Sequence, residues 1–128
     1  MIIDGWNFIR SPESDISDDD GGSIAAVKML IARLEGFQQT HSDPILLVLD
    51  STNEYLETGY RSGPKLTVVP SRDADDYIKR YIDKVPERQR RNLRVVSSDN
   101  DVFYYAKSSY ATPMRCGEFW NKLRRRYV

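Results

Sequence analysis

The sequence predicts an α/β sandwich built on a mostly parallel sheet, and three observations carry that expectation. A continuous apolar run at Ile45–Leu49, and shorter apolar stretches such as Ile2-Ile3 and Val95-Val96, suit strands covered on both faces. They alternate with longer segments of helical periodicity in the order β-α-β-β-α-β-α-β-α. Acidic turns follow several of the runs, and ligands of parallel sheets bind beyond the carboxyl ends of the strands, where the strand order reverses.

The elements follow in order. Residues 1–4 end a short buried strand, and Gly5 and Asn7 suit a tight turn after it. Residues 10–22 carry turn formers throughout and are expected to be an exposed loop, including the acidic triple Asp18-Asp19-Asp20. Ser23 can cap a helix whose apolar face is Ile24, Val27, Leu30, Ile31, Leu34 and Phe37, ending near His41. Ile45–Asp50 is a strand, 51–64 a loop, and Leu66–Val69 a short strand closed by Pro70. Ser71 or Asp73 caps a helix facing the core with Tyr77, Ile78, Tyr81, Ile82 and Val85. The basic segment Pro86–Asn92 is a turn or short helix before the strand Leu93–Val96. Val102, Phe103, Ala106 and Tyr110 define the next helix, Thr112–Arg115 a last strand, and Gly117–Tyr127 a terminal amphipathic helix with a basic end.

At 128 residues the chain fits one domain, 1–128. An apolar fraction of 40% argues against disorder, and no run approaches the length of a membrane span. Met1 is followed at once by Ile-Ile-Asp, so no signal peptide is expected. Cys116 is the sole cysteine, which excludes an internal disulfide and favours a cytoplasmic location. With His41 as the sole histidine, a thiolate and imidazole zinc site is also disfavoured. Net charge is zero, but residues 1–60 carry 3 basic and 11 acidic side chains and residues 61–128 carry 16 and 8. An acidic centre beside a basic half suits a metal-dependent enzyme acting on a polyanion.

The candidate chemistry lies in three acidic turns. Asp4, Asp75 or Asp76, and Asp99 with Asp101 come from separate strand-to-helix connections and can converge. Carboxylates are the ligands Mg²⁺ and Mn²⁺ prefer, and such an ion can activate water and neutralise charge on a phosphoryl group. Asn7 can orient a ligand or water through its amide. Each aspartate also has a structural reading: Asp73, Asp75 and Asp76 favour a helix first turn, Asp99 serves as an N-cap, and Asp50 as a turn residue. The sequence has no G-x-G-x-x-G and no Walker loop, and Ser97, Ser98 and Cys116 lack an evident catalytic base.

Three stretches carry a resemblance: Ile-Ile-Asp-Gly-Trp-Asn (2–7), Ala-Asp-Asp-Tyr-Ile (74–78) and Val-Val-Ser-Ser-Asp-Asn-Asp-Val (95–102). In this order they resemble the NYN domains, PIN-like nucleases, with the YacP-like subgroup most similar. The resemblance implies a three-layer PIN-like sandwich with strand order 3-2-1-4-5 and a Mg²⁺- or Mn²⁺-dependent endoribonuclease. It implies catalytic roles for Asp4, Asn7, Asp75, Asp76, Asp99 and Asp101, with Asp4, Asp75, Asp99 and Asp101 as metal ligands. Trp6 stands where tyrosine is common, and Cys116 where Ser or Thr is expected before the last helix. The chain is shorter at both ends than typical members, and extensions that grip RNA are expected to be missing. RNA contacts are expected from Arg61, Lys65 and Arg72 around the third strand and from Arg88, Arg90 and Arg91. The alternatives are a catalytically inactive PIN-like module recruited to RNA or ribosomes, and a DNA structure-specific nuclease; the latter is disfavoured because no long basic insertion is present. Oligomeric state is not specified by these features.

Overall fold

The computed structural model describes residues 1–16, 22–50 and 62–125. Five strands, β1 (Ile2–Asp4), β2 (Ile45–Asp50), β3 (Leu66–Ser71), β4 (Arg94–Val96) and β5 (Thr112–Met114), form one sheet in the order β3-β2-β1-β4-β5. Every pairing is parallel. The helices are α1 (Gly5–Ile9), α2 (Gly22–Phe37), α3 (Ala74–Lys84), α4 (Asn100–Ser108) and α5 (Cys116–Arg125), with a 3₁₀ segment at Glu87–Asn92. This is the α/β sandwich and the strand order expected.

Strand alternation divides the core into two layers. Ile3, Leu47, Leu49, Val68, Val96 and Met114 face α1, α2 and α5. Ile2, Val48 and Val95 face α3 and α4 through Ala74, Ile78, Ile82, Val102 and Ala106. Adjacent residues such as Ile2 and Ile3 are thus buried in opposite directions, which is why these strands read as unbroken apolar runs.

The structure corrects several boundaries. The expected turn after β1 is the helix α1, because Trp6, Phe8 and Ile9 all find apolar cover. Trp120 of α5 stacks on Phe8 with ring centroids 4.3 Å apart, and its Nε1 donates to Phe8 O and Ser11 Oγ, both at 3.1 Å. The α2 helix begins at Gly22, one residue before the expected cap Ser23, and ends at Phe37 rather than near His41. The His41 ring stacks on Phe37 beyond the helix end. The Asp18–Asp20 triple, Arg61 and the 51–61 part of the expected loop lie outside the described residues.

Strand β3 runs through Pro70 to Ser71 instead of stopping at the proline. It is an edge strand, and proline is tolerated where its missing N–H would face outward. The Val68 N–H, two residues earlier, donates to Ser62 Oγ at 2.9 Å rather than to β2. On the opposite edge, Thr112 N donates inward to Leu93 O at 2.9 Å, so the next residue, Pro113, again lacks only an outward donor. The terminal helix starts at Cys116, whose N–H donates to Ser98 Oγ at 3.0 Å. The hydroxyl expected just before this helix is therefore supplied from the turn after β4.

Gly5 is required by close approach. A Cβ there would lie 2.7 Å from Leu49 Cδ2 and 2.9 Å from the Val48 carbonyl oxygen. Since the backbone of β2 cannot yield, Gly5→Ala is expected to destabilise the fold by about 1–3 kcal/mol, read as a lower urea midpoint at unchanged m-value.

Candidate active site

The order β3-β2-β1-β4-β5 reverses between β1 and β4, so the crevice beyond their carboxyl ends is the switch point of the sheet. β1 ends there in Asp4, and β4 runs out into Ser97-Ser98-Asp99. A cleft of about 650 Å³ opens at this place, lined among others by Asp4, Asn7, Asp50, Arg72, Asp75 and Asp99.

The turns are tied together by one buried knot. Ser97, 1% exposed, donates through Oγ to Asp4 Oδ2 at 3.0 Å and accepts from Asp99 N at 3.1 Å. Asn7 Oδ1 accepts from Ser98 N at 2.7 Å and from Cys116 Sγ at 3.3 Å. That fixes the Asn7 amide and leaves Nδ2 without a partner among the described residues, at the cleft wall. On the far side, Arg115 donates to Ser98 O at 3.1 Å and Asn100 Oδ1 at 3.0 Å while its guanidinium lies over Phe103.

Asp99 is the N-cap of α4, its Oδ1 accepting from Asp101 N and Val102 N. Only one carboxylate oxygen is used, so Oδ2 remains available. Asp73 likewise caps α3 by accepting from Asp76 N at 3.0 Å, which turns the next residues, Ala74 and Asp75, toward the cleft. Oxygens of Asp75, Asp99 and Asp101 lie within 4.8 Å of one another. Asp101 is exposed and paired with Lys79 at 2.5 Å. Asp76 is exposed, outside this group, and paired with Arg80 at 2.8 Å.

Asp4 is nearly buried, and burial, offset in part by the Ser97 hydrogen bond and reinforced by Asp75, Asp99 and Asp50, pushes its carboxyl up to about 7. Burial and the neighbouring Asp99 and Asp73 also raise Asp75. The site thus gathers negative charge that its own cations do not balance. The donor set fits a hard divalent cation: it offers carboxylate oxygens and no thiolate or imidazole. Asp4 sits behind this group rather than within it.

Of the expected RNA contacts, Arg72 lines the cleft. Lys65 precedes β3, and Arg88, Arg90 and Arg91 precede β4, so all four stand at the amino ends of the strands, away from the acids. Arg90 is bound into the fold, donating to the carbonyls of Val85, Asp83 and Ser109. Conversely, the cleft includes residues outside the expected set: Asp50, Ser98, Trp6 and Arg10, the last lying 4.5 Å over the Trp6 ring. For Ser97 and Ser98 the available signal was position, since a small hydroxyl directly after a central strand faces the switch point. Nothing in the spacing marks Trp6 or Arg10.

A wholly parallel sheet in this order, with carboxylates gathered at its switch point, is the arrangement expected of a nuclease-like α/β fold. The YacP-like NYN domain matches residues 1–127, and the chain belongs to that family. Among solved structures, Rae1 (YacP) from Bacillus subtilis is similar at a TM-score of 0.70 and 17% identity, covering 98% of this chain and 75% of that one. A tryptophan-to-leucine variant of the same protein gives 0.72 and 16%, covering 98% and 76%. No curated protein sequence matches significantly.

The raised Asp4 carboxyl has a consequence for stability. Because its folded value of about 7 exceeds the ordinary aspartate value of 3.8, the folded chain holds this proton more tightly than the unfolded chain. The metal-free protein should therefore lose stability as pH rises from about 4 to about 7. Asp4→Asn is expected to be more stable than wild type at pH 8 in EDTA, by about 2 kcal/mol, with the gap narrowing at pH 5. Thermal unfolding at both pH values checks this; a gap independent of pH would contradict it.

Proposed function

We propose that this protein is a Mg²⁺- or Mn²⁺-dependent endoribonuclease acting through the aspartates at the switch point. The observation that carries the reading is the convergence of Asp75, Asp99 and Asp101 from two helix starts onto one small volume, beside the buried Asp4. Clustered like charges destabilise a fold unless a cation offsets them. Asp75, Asp99 Oδ2 and Asp101 would hold the ion, Asp101 exchanging Lys79 for it. When bound, the cation activates water and neutralises charge developing on the phosphoryl group.

The protein's own groups supply the rest. Asp4, with its carboxyl near neutrality, retains or releases a proton at the floor of the cleft and adds negative potential behind the metal ligands. Asn7 Nδ2 presents a donor to a phosphate or water, its orientation set by the Ser98 N–H on the opposite atom. Arg72 and Arg10 border the acids on the side from which a polyanion would approach. Asp76, engaged with Arg80, is assigned a supporting place in the α3 first turn. RNA as substrate is supported by family membership.

Asp99→Asn separates chemistry from folding, because asparagine caps a helix about as well as aspartate. Incubation of structured and unstructured RNA with Mg²⁺ or Mn²⁺ is expected to give internal cleavage. EDTA should abolish it, and Asp99→Asn and Asp75→Asn should each reduce the rate on the order of a hundredfold or more at nearly unchanged thermal stability. Cleavage that survives both chelation and Asp99→Asn would refute the assignment.

A further inference from the structure

The 3₁₀ segment carries Arg88, Arg90 and Arg91, and the structure gives them different tasks. Arg90 turns inward and closes on the carbonyls of Val85, Asp83 and Ser109, which fastens the segment to the C-terminal ends of α3 and α4. Arg88 and Arg91 are three residues apart. In a 3₁₀ segment side chains at that spacing stand one above the other, so both guanidinium groups rise along the same ridge. Neither has an ion-pair partner among the described residues.

Facing this ridge is Tyr110, at the end of α4. Its φ is 70°, the only positive value outside glycine among the described residues. Ala111 N donates to Ala106 O at 2.9 Å and Tyr110 N to Lys107 O at 3.2 Å, so Tyr110 holds the left-handed position of a helix stop that glycine normally takes. A tyrosine there costs about 1 kcal/mol of backbone strain. The ring does not recover that cost by packing, since the residue is 65% exposed. Tyr110, Arg88, Arg91 and Glu87 instead line a concavity of about 460 Å³. That volume suits a single nucleotide-sized group.

We infer that this concavity is a second RNA-binding subsite, in which one unpaired base stacks on Tyr110 while Arg88 and Arg91 contact the flanking phosphates. An aromatic face beside unpaired arginines is the arrangement that grips single strands without reading their sequence. Glu87 disfavours close approach of phosphate on its own side and so orients the strand. The subsite lies at the amino ends of β4 and β5, across the sheet from the acidic cleft. It therefore anchors RNA without touching the reacting phosphate, and its loss should raise KM while leaving kcat nearly unchanged. The inference rests on the reading of this protein as an RNA-cleaving enzyme.

The test is binding of a fluorescent twelve-nucleotide uridine strand, followed by anisotropy in EDTA so that no cleavage intervenes. Tyr110→Gly removes the ring and relieves the strained φ, so its Tm should be unchanged or higher while Kd rises on the order of tenfold. Tyr110→Phe should bind as wild type. The double variant Arg88→Gln/Arg91→Gln should weaken binding and reduce the slope of log K against log salt by about 1.4. If wild type binds and cleaves RNA but Tyr110→Gly and the double variant bind within twofold of it, the subsite is overturned and the catalytic reading stands. If wild type neither binds nor cleaves RNA, both fall.

Discussion

The Ser97 hydroxyl is the interaction on which the acidic cleft depends. It sits between the end of β1 and the start of α4, donating to Asp4 and accepting from the Asp99 backbone. A buried carboxylate needs hydrogen-bond compensation, and an N-cap needs its backbone held in extended geometry; one hydroxyl serves both. Asn7 adds a second tie from α1 to the same turn, and Ser98 extends it to the first N–H of α5. The two central strands and two helix starts are thus locked at one point, and the side chains that emerge beside it have little freedom to separate.

This arrangement explains how like charges remain close in a small fold. Apolar packing on both sheet faces supplies the driving force, and the repulsion is confined to the rim where solvent and cations can reach it. Lys79, from α3, partly offsets the outermost acid, Asp101. The innermost, Asp4, relieves the strain by holding a proton more readily than an exposed aspartate. Between them, Asp75 and Asp99 retain carboxylate oxygens not engaged in the fold.

Much of the architecture was legible because parallel strands announce themselves. Ile45–Asp50 and the Val-Val pairs are apolar without alternation, and this reflects burial on both faces. The carboxyl-end rule then located the acidic turns of Asp4 and Asp99 at one rim. The α1 helix was illegible for a physical reason: five residues are too few for periodicity, and its stability comes from Trp120, far away in sequence. Pro70 read as a stop because an edge position is a tertiary property. The placement of Lys65 and Arg88–Arg91 was implicit in the strand order, since residues that precede a parallel strand stand at the opposite end from those that follow it. Cys116 shows the limit of local reading, as its helix cap comes from Ser98.

Both margins of the sheet carry an imino acid, Pro70 in β3 and Pro113 in β5. On the β3 side the neighbouring outward amide, that of Val68, is already occupied by Ser62. An open sheet normally invites a neighbour's strand to continue its ladder. Here a sixth strand arriving from either side would meet a ring or an engaged amide where it needs a donor. The sheet is thereby closed to lateral growth without being rolled into a barrel. Among the described residues, neither margin therefore offers the unbroken row of outward donors that an added strand would need.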